Sequence, residues 1–239
     1  MINAFARTER LLGAEGLKKL SDARVILFGT GGVGSWCAEA LVRSGIGHLT
    51  IVDPDCVDET NINRQLPATC STVGQPKVLV LRDRLLDINP ACDIQALQER
   101  YTLGSDFSLA AYDAVVDAID SLTDKVNLLL EASNAPAAVF SSMGAACKID
   151  PTKVRVAEFF DVRGCPLGAA LRKRMRKNGT LPAKKILCVY DEEVLPNLGP
   201  EQDPGPGKAI ANGTLAHITG IFGFTLAGLV IQHIAGKFL

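Results

Sequence analysis

The sequence predicts one α/β domain built on a doubly wound, mostly parallel sheet, with a smaller antiparallel C-terminal section. Three observations support this fold class. Of the 239 residues, 47% are hydrophobic, which is enough for a sizeable core. Apolar β-type segments alternate with helical ones, and a glycine-rich turn joins the first strand to a helix. We therefore expect a single domain over residues 1–239, with a core over 1–150 and a second section over 151–239.

Strands and helices alternate along the first part of the chain. Residues 24–28 (Arg-Val-Ile-Leu-Phe) and 112–119 are short apolar runs, rich in branched residues and typical of buried strands. Between strands, the apolar residues recur at helical spacing. The predicted strands are 24–28, 49–53, 94–97, 112–119 and 137–141, and the predicted helices are 8–20, 35–42, 76–88 and 122–133.

The pattern changes after Asp150-Pro151. Residues 154–160 alternate like an antiparallel strand, residues 167–177 form a basic helix, and residues 186–190 are a further strand. Proline and glycine are too frequent in residues 196–207 for regular structure, so we expect a long crossover loop there.

An uncharged segment covers residues 209–236. It is long enough to suggest a membrane span, but glycines, threonines, Gln232 and His233 interrupt it. We expect a buried or interface helix and no membrane insertion.

Charge and cysteine content restrict the function classes. The formal net charge is -1, with the acidic residues concentrated before residue 121 and the basic ones after it, so the second half could bind a polyanion. The seven cysteines include no Cys-x-x-Cys pair, which disfavours a disulfide framework and a zinc site. The first residues do not resemble a signal peptide. We therefore expect a cytoplasmic protein.

Two cysteines, Cys165 and Cys188, are candidate nucleophiles. Cys188 lies in a predicted buried strand, where a free thiol usually acts as a small hydrophobe. Cys165 lies in a predicted loop and is the better candidate for a reactive thiol. The sequence leaves open whether either reacts.

A glycine-rich turn follows the first strand. Gly29, Gly31, Gly32 and Gly34 stand between a strand and a helix, where backbone N–H groups can approach a phosphate. The turn predicts nucleotide binding on a Rossmann-like sheet. Taken alone, it also fits an NAD-dependent dehydrogenase with Asp53 on the ribose hydroxyls.

The residues after Asp53 favour nucleoside triphosphate chemistry instead. An arginine and a lysine can neutralise charge on phosphates, one carboxylate can hold Mg²⁺, and another can fix the ribose. An aspartate also follows the strand at 112–119, at the edge where doubly wound sheets bind ligands. The residues concerned are Asp53, Asp55, Asn61, Asn63, Arg64, Gln65, Lys77, Asp120 and Ser121.

Taken together, these motifs resemble the adenylation domain shared by ubiquitin-activating enzymes and the ThiF and MoeB proteins. The resemblance implies that Asp53 binds the ribose of ATP, Lys77 its phosphates, and Asp120 Mg²⁺. It further implies a homodimer in which Arg64 reaches the partner subunit's phosphates, with Arg7 as a second contributor in trans. Arg64, Lys77 and Asp120 would be catalytic. The implied ATP-binding set is Gly29, Gly31, Gly32, Gly34, Asp53, Asp55, Asn61, Asn63, Arg64, Gln65, Lys77, Asp120 and Ser121.

Departures from that pattern indicate a branch of the family. ThiF and MoeB proteins usually carry two Cys-x-x-Cys zinc pairs and read Asp-Asn where this chain has Asp120-Ser121. Residues 118–121, 149–152, 166–172 and 188–190 instead resemble the zinc-free tRNA threonylcarbamoyladenosine dehydratases. This resemblance implies ATP-dependent cyclisation of threonylcarbamoyladenosine in tRNA through an acyl-adenylate, with release of AMP and pyrophosphate.

The basic helix is compatible with a tRNA partner, because phosphate contacts supply much of nucleic-acid affinity. A solvated helix face remains the alternative. The predicted tRNA-binding residues are Arg172, Lys173, Arg174, Arg176, Lys177, Lys184 and Lys185. Two rival functions also stay open. One is adenylation of the C-terminal glycine of a ubiquitin-like sulfur carrier, with a sulfur-relay partner, and the other is a non-enzymatic dinucleotide-binding module.

Overall fold

The computed structural model describes residues 4–199 and 212–236. Its centre is a seven-stranded sheet with the order β3-β2-β1-β4-β5-β7-β6. All neighbouring strands are parallel except β6 and β7, which are antiparallel. The fold class predicted from the sequence is confirmed. The strands are β1 Arg24–Phe28, β2 His48–Val52, β3 Asp93–Leu97, β4 Ala114–Asp117, β5 Ala138–Ser142, β6 Arg155–Glu158 and β7 Leu187–Tyr190.

Helices cover both faces of this sheet. The described ranges contain α1 Ala6–Asp22, α2 Gly34–Ser44, α3 Lys77–Ile88, α4 Leu122–Asn134, α5 Pro166–Lys177 and α6 Ala216–Ile234. One apolar core unites α2, α3 and α6 with one face of the sheet, and a second unites α4 and α5 with the other face. Covered faces explain why β1 and β4 read as continuous apolar runs rather than as alternating ones.

The order of the strands fixes where a ligand can bind. From β1 the chain proceeds outward to β2 and β3, and then returns to place β4 on the other side of β1. The carboxyl ends of β1 and β4 therefore meet at a topological switch point, where the connecting segments diverge and leave a crevice. The glycine turn follows β1, and residues 118–121 follow β4.

Two predicted strands end two residues earlier than expected. β4 ends at Asp117, because the carboxylate of this residue accepts a hydrogen bond from the backbone N–H of Ile119 and turns the chain. β6 ends at Glu158, whose side chain accepts a hydrogen bond from the N–H of Phe160 in the same way. Of the predicted loop at 196–207, residues 196–199 lack regular structure and the remainder lies outside the described residues.

The uncharged segment near residue 225 forms the 19-residue helix α6. In the part of the chain that the structure describes, it is the one helix long and apolar enough to cross a membrane, and half of it is buried in the fold. Ile218, Phe222 and Leu226 are fully buried in the core shared with α2. Helix α6 is therefore a core helix of this fold. A core helix can be as long and as apolar as a membrane span.

Candidate active site

A cavity of about 800 Å³ opens at the carboxyl edge of the sheet, at the switch point between β1 and β4. Its volume is typical of sites that bind ligands the size of a nucleotide. The cavity residues include the following members of the predicted ATP set: Gly29, Gly31, Gly32, Asp53, Asp55, Arg64, Gln65, Lys77, Asp120 and Ser121. The fold therefore brings together residues from five separate segments.

Close packing requires glycine at two positions of the turn after β1. Gly29 has a φ of +89°, and a Cβ there would lie 2.6 Å from the carbonyl oxygen of Ala118. A Cβ on Gly34 would lie 1.8 Å from the carbonyl oxygen of Gly29. The turn thus lies directly against the segment after β4, and helix α2 begins immediately behind it. A helix N-terminus presents unpaired N–H groups and a positive dipole end to the cavity, which suits a phosphate.

Asp53 connects this turn to the end of β2. Its carboxylate is almost fully buried and accepts hydrogen bonds from the backbone N–H of Thr30 at 2.6 Å and of Asp55 at 2.9 Å. Because both donors belong to the backbone, the carboxylate has a fixed position on the wall of the cavity. An acceptor fixed in this way can bind sugar hydroxyls.

Lys77 contributes a fixed positive charge. It is the first residue of α3 and is 6% exposed, and its ammonium donates to a carboxylate oxygen of Asp55 at 2.9 Å. The backbone N–H of Lys77 also donates to the carbonyl of Asp55. Since Asp55 is well exposed at the cavity, the ammonium remains at the cavity wall, where it can contact an anionic ligand.

Arg64 and Gln65 follow a short 3-10 turn over Glu59–Asn61. The Arg64 guanidinium donates to the carbonyl of Thr60 and to the side-chain oxygen of Asn63, and it lines the cavity of its own chain. The side-chain oxygen of Gln65 is buried and has no hydrogen-bond partner among the described residues. A buried acceptor without a partner costs free energy, so a ligand that donates to Gln65 would be stabilised there.

Asp120 is exposed in the cavity, and its carboxylate makes no hydrogen bond or ion pair within the described ranges. Ser121 behind it caps α4 by accepting a hydrogen bond from the N–H of Asp124. The described residues contain no group of three or more side chains with metal-ligating character. A single carboxylate facing a phosphate site fits Mg²⁺, which usually binds through one or two carboxylates together with substrate phosphates.

A buried polar cluster lies beneath the Asp120 segment. Lys125 and Asp117 are both fully buried and form an ion pair at 2.7 Å. Ser141 donates to the same carboxylate oxygen of Asp117 at 2.6 Å. The Lys125 ammonium also donates to the carbonyl of Ile119 at 2.9 Å. None of these groups was predicted to have a role from the sequence.

Three residues of the predicted ATP set do not line the cavity. Gly34 is buried behind the turn, as described above. The Asn61 amide oxygen accepts the N–H of Asp58 and so caps the 3-10 turn, while the Asn63 amide donates to the carbonyl of Thr214. Both amides therefore support the loop that carries Arg64, and their contact with ATP stays a prediction.

The basic region also divides into two groups. Lys173, Arg174, Arg176, Lys177 and Lys185 are exposed, in keeping with a polyanion-binding surface. Arg172 donates to the carbonyl of Phe159, and Lys184 donates to the carbonyls of Ala135 and Ala137. Burial lowers the pKa of Lys184 below its usual value. These hydrogen bonds also stabilise the fold, and a role of the two cations in RNA binding stays a prediction.

Neither candidate nucleophilic cysteine is accessible. Cys165 lies in a loop before α5, as predicted, but it is 3% exposed and its sulfur lies 3.5 Å from the backbone nitrogen of Gly168. Cys188 is fully buried, and burial raises the pKa of its thiol far above the ordinary value. A thiolate at Cys188 is therefore disfavoured.

Several cavity residues escaped the sequence analysis. Arg100 lies three residues beyond β3, and its guanidinium is 3.5 Å from the carboxylate of Asp124. The sequence could have indicated Arg100, because it follows a predicted parallel strand and so lies at the carboxyl edge of the sheet, where ligands bind. Thr219 lies on α6, and its methyl group would lie 3.1 Å from a Cβ on Gly32. An uncharged residue in an apolar helix gave no such signal.

The family model described as the ThiF family matches residues 5–238. The chain is similar to the tRNA threonylcarbamoyladenosine dehydratase of Bacillus subtilis, with 36% identity over 243 residues that cover 97% of this chain and 94% of the relative.

Among solved structures, the chain is similar to the E. coli tRNA N6-threonylcarbamoyladenosine dehydratase TcdA in complex with ATP. The TM-score is 0.84 at 33% sequence identity, with 98% of this chain and 94% of that chain covered. A partial similarity joins it to the sulfur carrier protein ThiS adenylyltransferase of Escherichia coli, at 33% identity over 137 residues, or 56% of this chain and 54% of the relative.

Proposed function

The chain belongs to the ThiF family, and we propose that it uses ATP to dehydrate threonylcarbamoyladenosine in tRNA. The observation that carries the proposal is the switch-point cavity, which Lys77, Arg64 and Asp120 line together with the glycine turn. Relatives that carry the dehydratase name match almost the whole chain, whereas the sulfur-carrier adenylyltransferase matches about half of it.

ATP binding follows from the cavity walls. We assign the ribose to Asp53, whose carboxylate is fixed by two backbone N–H groups. We assign the phosphates to the N-terminus of α2 and to the cationic groups of Lys77 and Arg64. The unpartnered oxygen of Gln65 gives a further polar contact. Asp120 would hold Mg²⁺, which would supply positive charge against the phosphate oxygens during the reaction.

The reaction would then proceed by two substitutions. A carboxylate oxygen of the threonyl group attacks the α-phosphorus of ATP. The bond between this phosphorus and the oxygen that bridges the α- and β-phosphates breaks, and pyrophosphate leaves. A nucleophilic atom of the ureido group then attacks the activated carbonyl carbon, loses its proton, and displaces AMP as a ring closes. Because the second step is intramolecular, it has a high effective molarity and needs no covalent enzyme intermediate. Lys77 and Arg64 stabilise the charge that develops in the first step.

We assign tRNA docking to the exposed cations of α5. Lys173, Arg174, Arg176 and Lys177 lie on the solvent side of this helix, while Leu171 and Met175 bury its other face. Leu167, in the first turn of the same helix, lines the cavity. A polyanion on the exposed face would therefore lie next to the catalytic cavity. We place the reaction in the cytoplasm, where tRNA is found.

A homodimer is part of the proposal. An exposed apolar surface adjoins Arg64: Phe224 is 52% exposed and packs edge-to-face on Trp36, whose indole N–H donates to the Arg64 carbonyl. Exposed aromatic surface of this kind is typical of subunit interfaces. Arg64 lines its own cavity, so we assign its guanidinium to the phosphates of its own chain as well as to a position beside the interface. Arg7 is exposed on α1 and is not part of the cavity wall.

Product analysis tests the proposal. The purified protein is mixed with ATP and Mg²⁺, together with tRNA that carries threonylcarbamoyladenosine, with unmodified tRNA, or without tRNA. We expect AMP release only with the modified tRNA, and a nucleoside that has lost one water by mass spectrometry. AMP release that does not depend on tRNA modification, or the absence of AMP release, would contradict the dehydratase function.

The second candidate function is adenylation of a ubiquitin-like sulfur carrier. The partial similarity to the ThiS adenylyltransferase supports it, and its partner would be the carrier protein. Incubation with a carrier that ends in glycine, followed by intact-protein mass spectrometry, separates the two functions. We expect no adenylated carrier, and formation of one would favour this alternative.

A further inference from the structure

The buried ion pair between Lys125 and Asp117 has no place in the reaction described above. Both side chains are fully buried, so neither can contact ATP or tRNA directly. Removing two charges from water is costly, and apolar residues of similar volume often stabilise a fold as well or better. Stability alone is therefore a weak reason for this pair, and its geometry points to another role.

That geometry centres on one residue of the backbone. The Asp117 carboxylate accepts a hydrogen bond from the N–H of Ile119 at 3.1 Å, while the Lys125 ammonium donates to the carbonyl of the same residue at 2.9 Å. The ion pair thus holds both polar groups of Ile119. Since the Ile119 carbonyl belongs to the peptide unit that precedes Asp120, the pair fixes the plane from which the Asp120 side chain extends.

Neighbouring contacts anchor the pair itself. Ser141 on β5 donates to Asp117, and the N–H of Ala118 donates to the carbonyl of Phe28 at the end of β1. The backbone N–H of Lys125 donates to the carbonyl of Ser121. The segment is therefore tied to two strands and to α4, while the Asp120 carboxylate itself has no partner in the described part of the chain. The backbone support is rigid, and the functional group that it presents is free.

We infer that Lys125 is a positioning residue, which together with Asp117 orients the Asp120 carboxylate toward a magnesium ion on the nucleotide phosphates. The inference rests on the proposed function, because that function assigns Mg²⁺ to Asp120. Groups that orient a metal ligand without touching the metal commonly change metal affinity when they are replaced. Lys125 and Asp117 would act in this way through the backbone.

The test compares ATP affinity with Mg²⁺ and in EDTA, measured by isothermal titration calorimetry on the full-length protein. The main variant is the double substitution Asp117→Asn with Lys125→Met, which removes both charges and so leaves no buried charge unpaired. Asp120→Asn serves as the reference for loss of the carboxylate. Mg²⁺ should raise the affinity of the protein for ATP. We expect the Mg²⁺ concentration that gives half of this increase to be about tenfold higher in the double variant than in the unsubstituted protein. Its ATP affinity in EDTA should stay close to that of the unsubstituted protein.

A matched control removes a second buried charge, on a side chain that does not line the cavity. Glu39 on α2 is 6% exposed and pairs with Arg84 on α3 and with Arg43 on its own helix. The double substitution Glu39→Gln with Arg84→Met should lower stability without changing the Mg²⁺ requirement. If the Asp117 and Lys125 variant does not fold, Ser141→Ala removes one hydrogen bond to Asp117, keeps both charges, and should raise the Mg²⁺ requirement by a smaller factor.

Two results would overturn the inference, and a third would separate it from the proposed function. An unchanged Mg²⁺ requirement in the folded double variant, or in Ser141→Ala where the double variant does not fold, overturns the inference. An unchanged requirement in Asp120→Asn also overturns it, because the residue to be positioned would then not bind the metal. If the variants behave as expected but the protein releases no AMP with modified tRNA, the proposed function fails and the role of Lys125 stands.

Discussion

The nucleotide cavity and the basic face of α5 use charge in opposite ways. In the cavity, Asp53 and Lys77 are nearly buried, and each is fixed by hydrogen bonds to neighbouring groups. On α5, Lys173, Arg176 and Lys177 are exposed and make no ion pair within the described ranges. Fixed charges suit a small ligand whose atoms must be placed exactly for reaction. Exposed charges suit a large polyanion, because its many phosphates can be attracted over a wide surface without exact placement of each cation.

This difference predicts that single substitutions matter most in the cavity. Lys77→Ala removes a fixed cation from the phosphate site, and we expect the rate of AMP formation to fall by about 100- to 1000-fold. Because Asp55 is exposed, its carboxylate can be solvated after the change, and the fold should persist. Steady-state kinetics with modified tRNA measure the effect.

The control for this variant is Lys18→Ala, which removes an exposed lysine of α1 that pairs with Asp22. It should leave the rate unchanged. A decrease of less than about threefold in Lys77→Ala would show that the fixed cation does not stabilise the developing phosphate charge.

Several substitutions should be needed for a comparable effect on the basic face. Replacing Lys173, Arg176 and Lys177 with glutamine should weaken tRNA binding by about 10- to 100-fold and make its salt dependence less steep. AMP formation at saturating tRNA should change little, since none of the three lines the cavity. Filter binding at several salt concentrations measures both the affinity and its salt dependence.

The matched control replaces an equal number of exposed lysines and arginines on α1, namely Arg10, Lys18 and Lys19. This variant has the same net charge as the α5 variant but should bind tRNA normally. Equal weakening by both variants would mean that only total charge matters, and the α5 face would lose its assigned role.

The smallest expected effect concerns a fixed carboxylate in the C-terminal section. The Lys153 ammonium and the N–H groups of Ile149 and Asp150 hold the pKa of Glu193 at about 2, below its ordinary value of 4.5. A lowered pKa gives stability that is present above pH 4.5 and is lost as the pH falls toward about 2. Glu193→Gln should therefore lower Tm slightly at neutral pH, by a difference that shrinks across this range.

Thermal unfolding at a series of pH values measures that difference, with the neighbouring exposed Glu192→Gln as the control. A deficit in Glu193→Gln that is the same at acid and neutral pH would show that its ionised form is not stabilised by the fold. Glu193 is a fixed charge outside the nucleotide cavity. The experiment therefore shows what a fixed charge contributes to stability where it has no part in ligand binding.

The sequence predicted the order of the elements well, because the core strands are apolar runs separated by turns. β1 and β7 lie where the apolar runs indicated, while β4 and β6 end early at Asp117 and Glu158. At both ends a carboxylate turns the chain by accepting a backbone N–H. Such short-range hydrogen bonds are not visible in a hydrophobic pattern, and for this reason strand ends are harder to predict than strands.

The site was predicted where residues lie next to strand ends. Asp53 and Asp120 are such residues, and the structure places both in the cavity. Asn61 and Asn63 share a motif with Arg64, and the structure shows that their amides support the loop, a role that the motif alone does not reveal. Thr219 reaches the cavity through packing of α6, which depends on the whole fold. No local pattern contains that information.

Contact between Gly32 and Thr219 joins two segments that a ribosome makes at different times. The glycine turn is synthesised early, whereas α6, which packs against it and supplies part of the cavity wall, comes after all seven strands. Contacts between residues distant in sequence form slowly, because a long chain must be ordered to close them. A nascent chain that has not yet reached α6 therefore lacks the part of the cavity wall that this helix supplies.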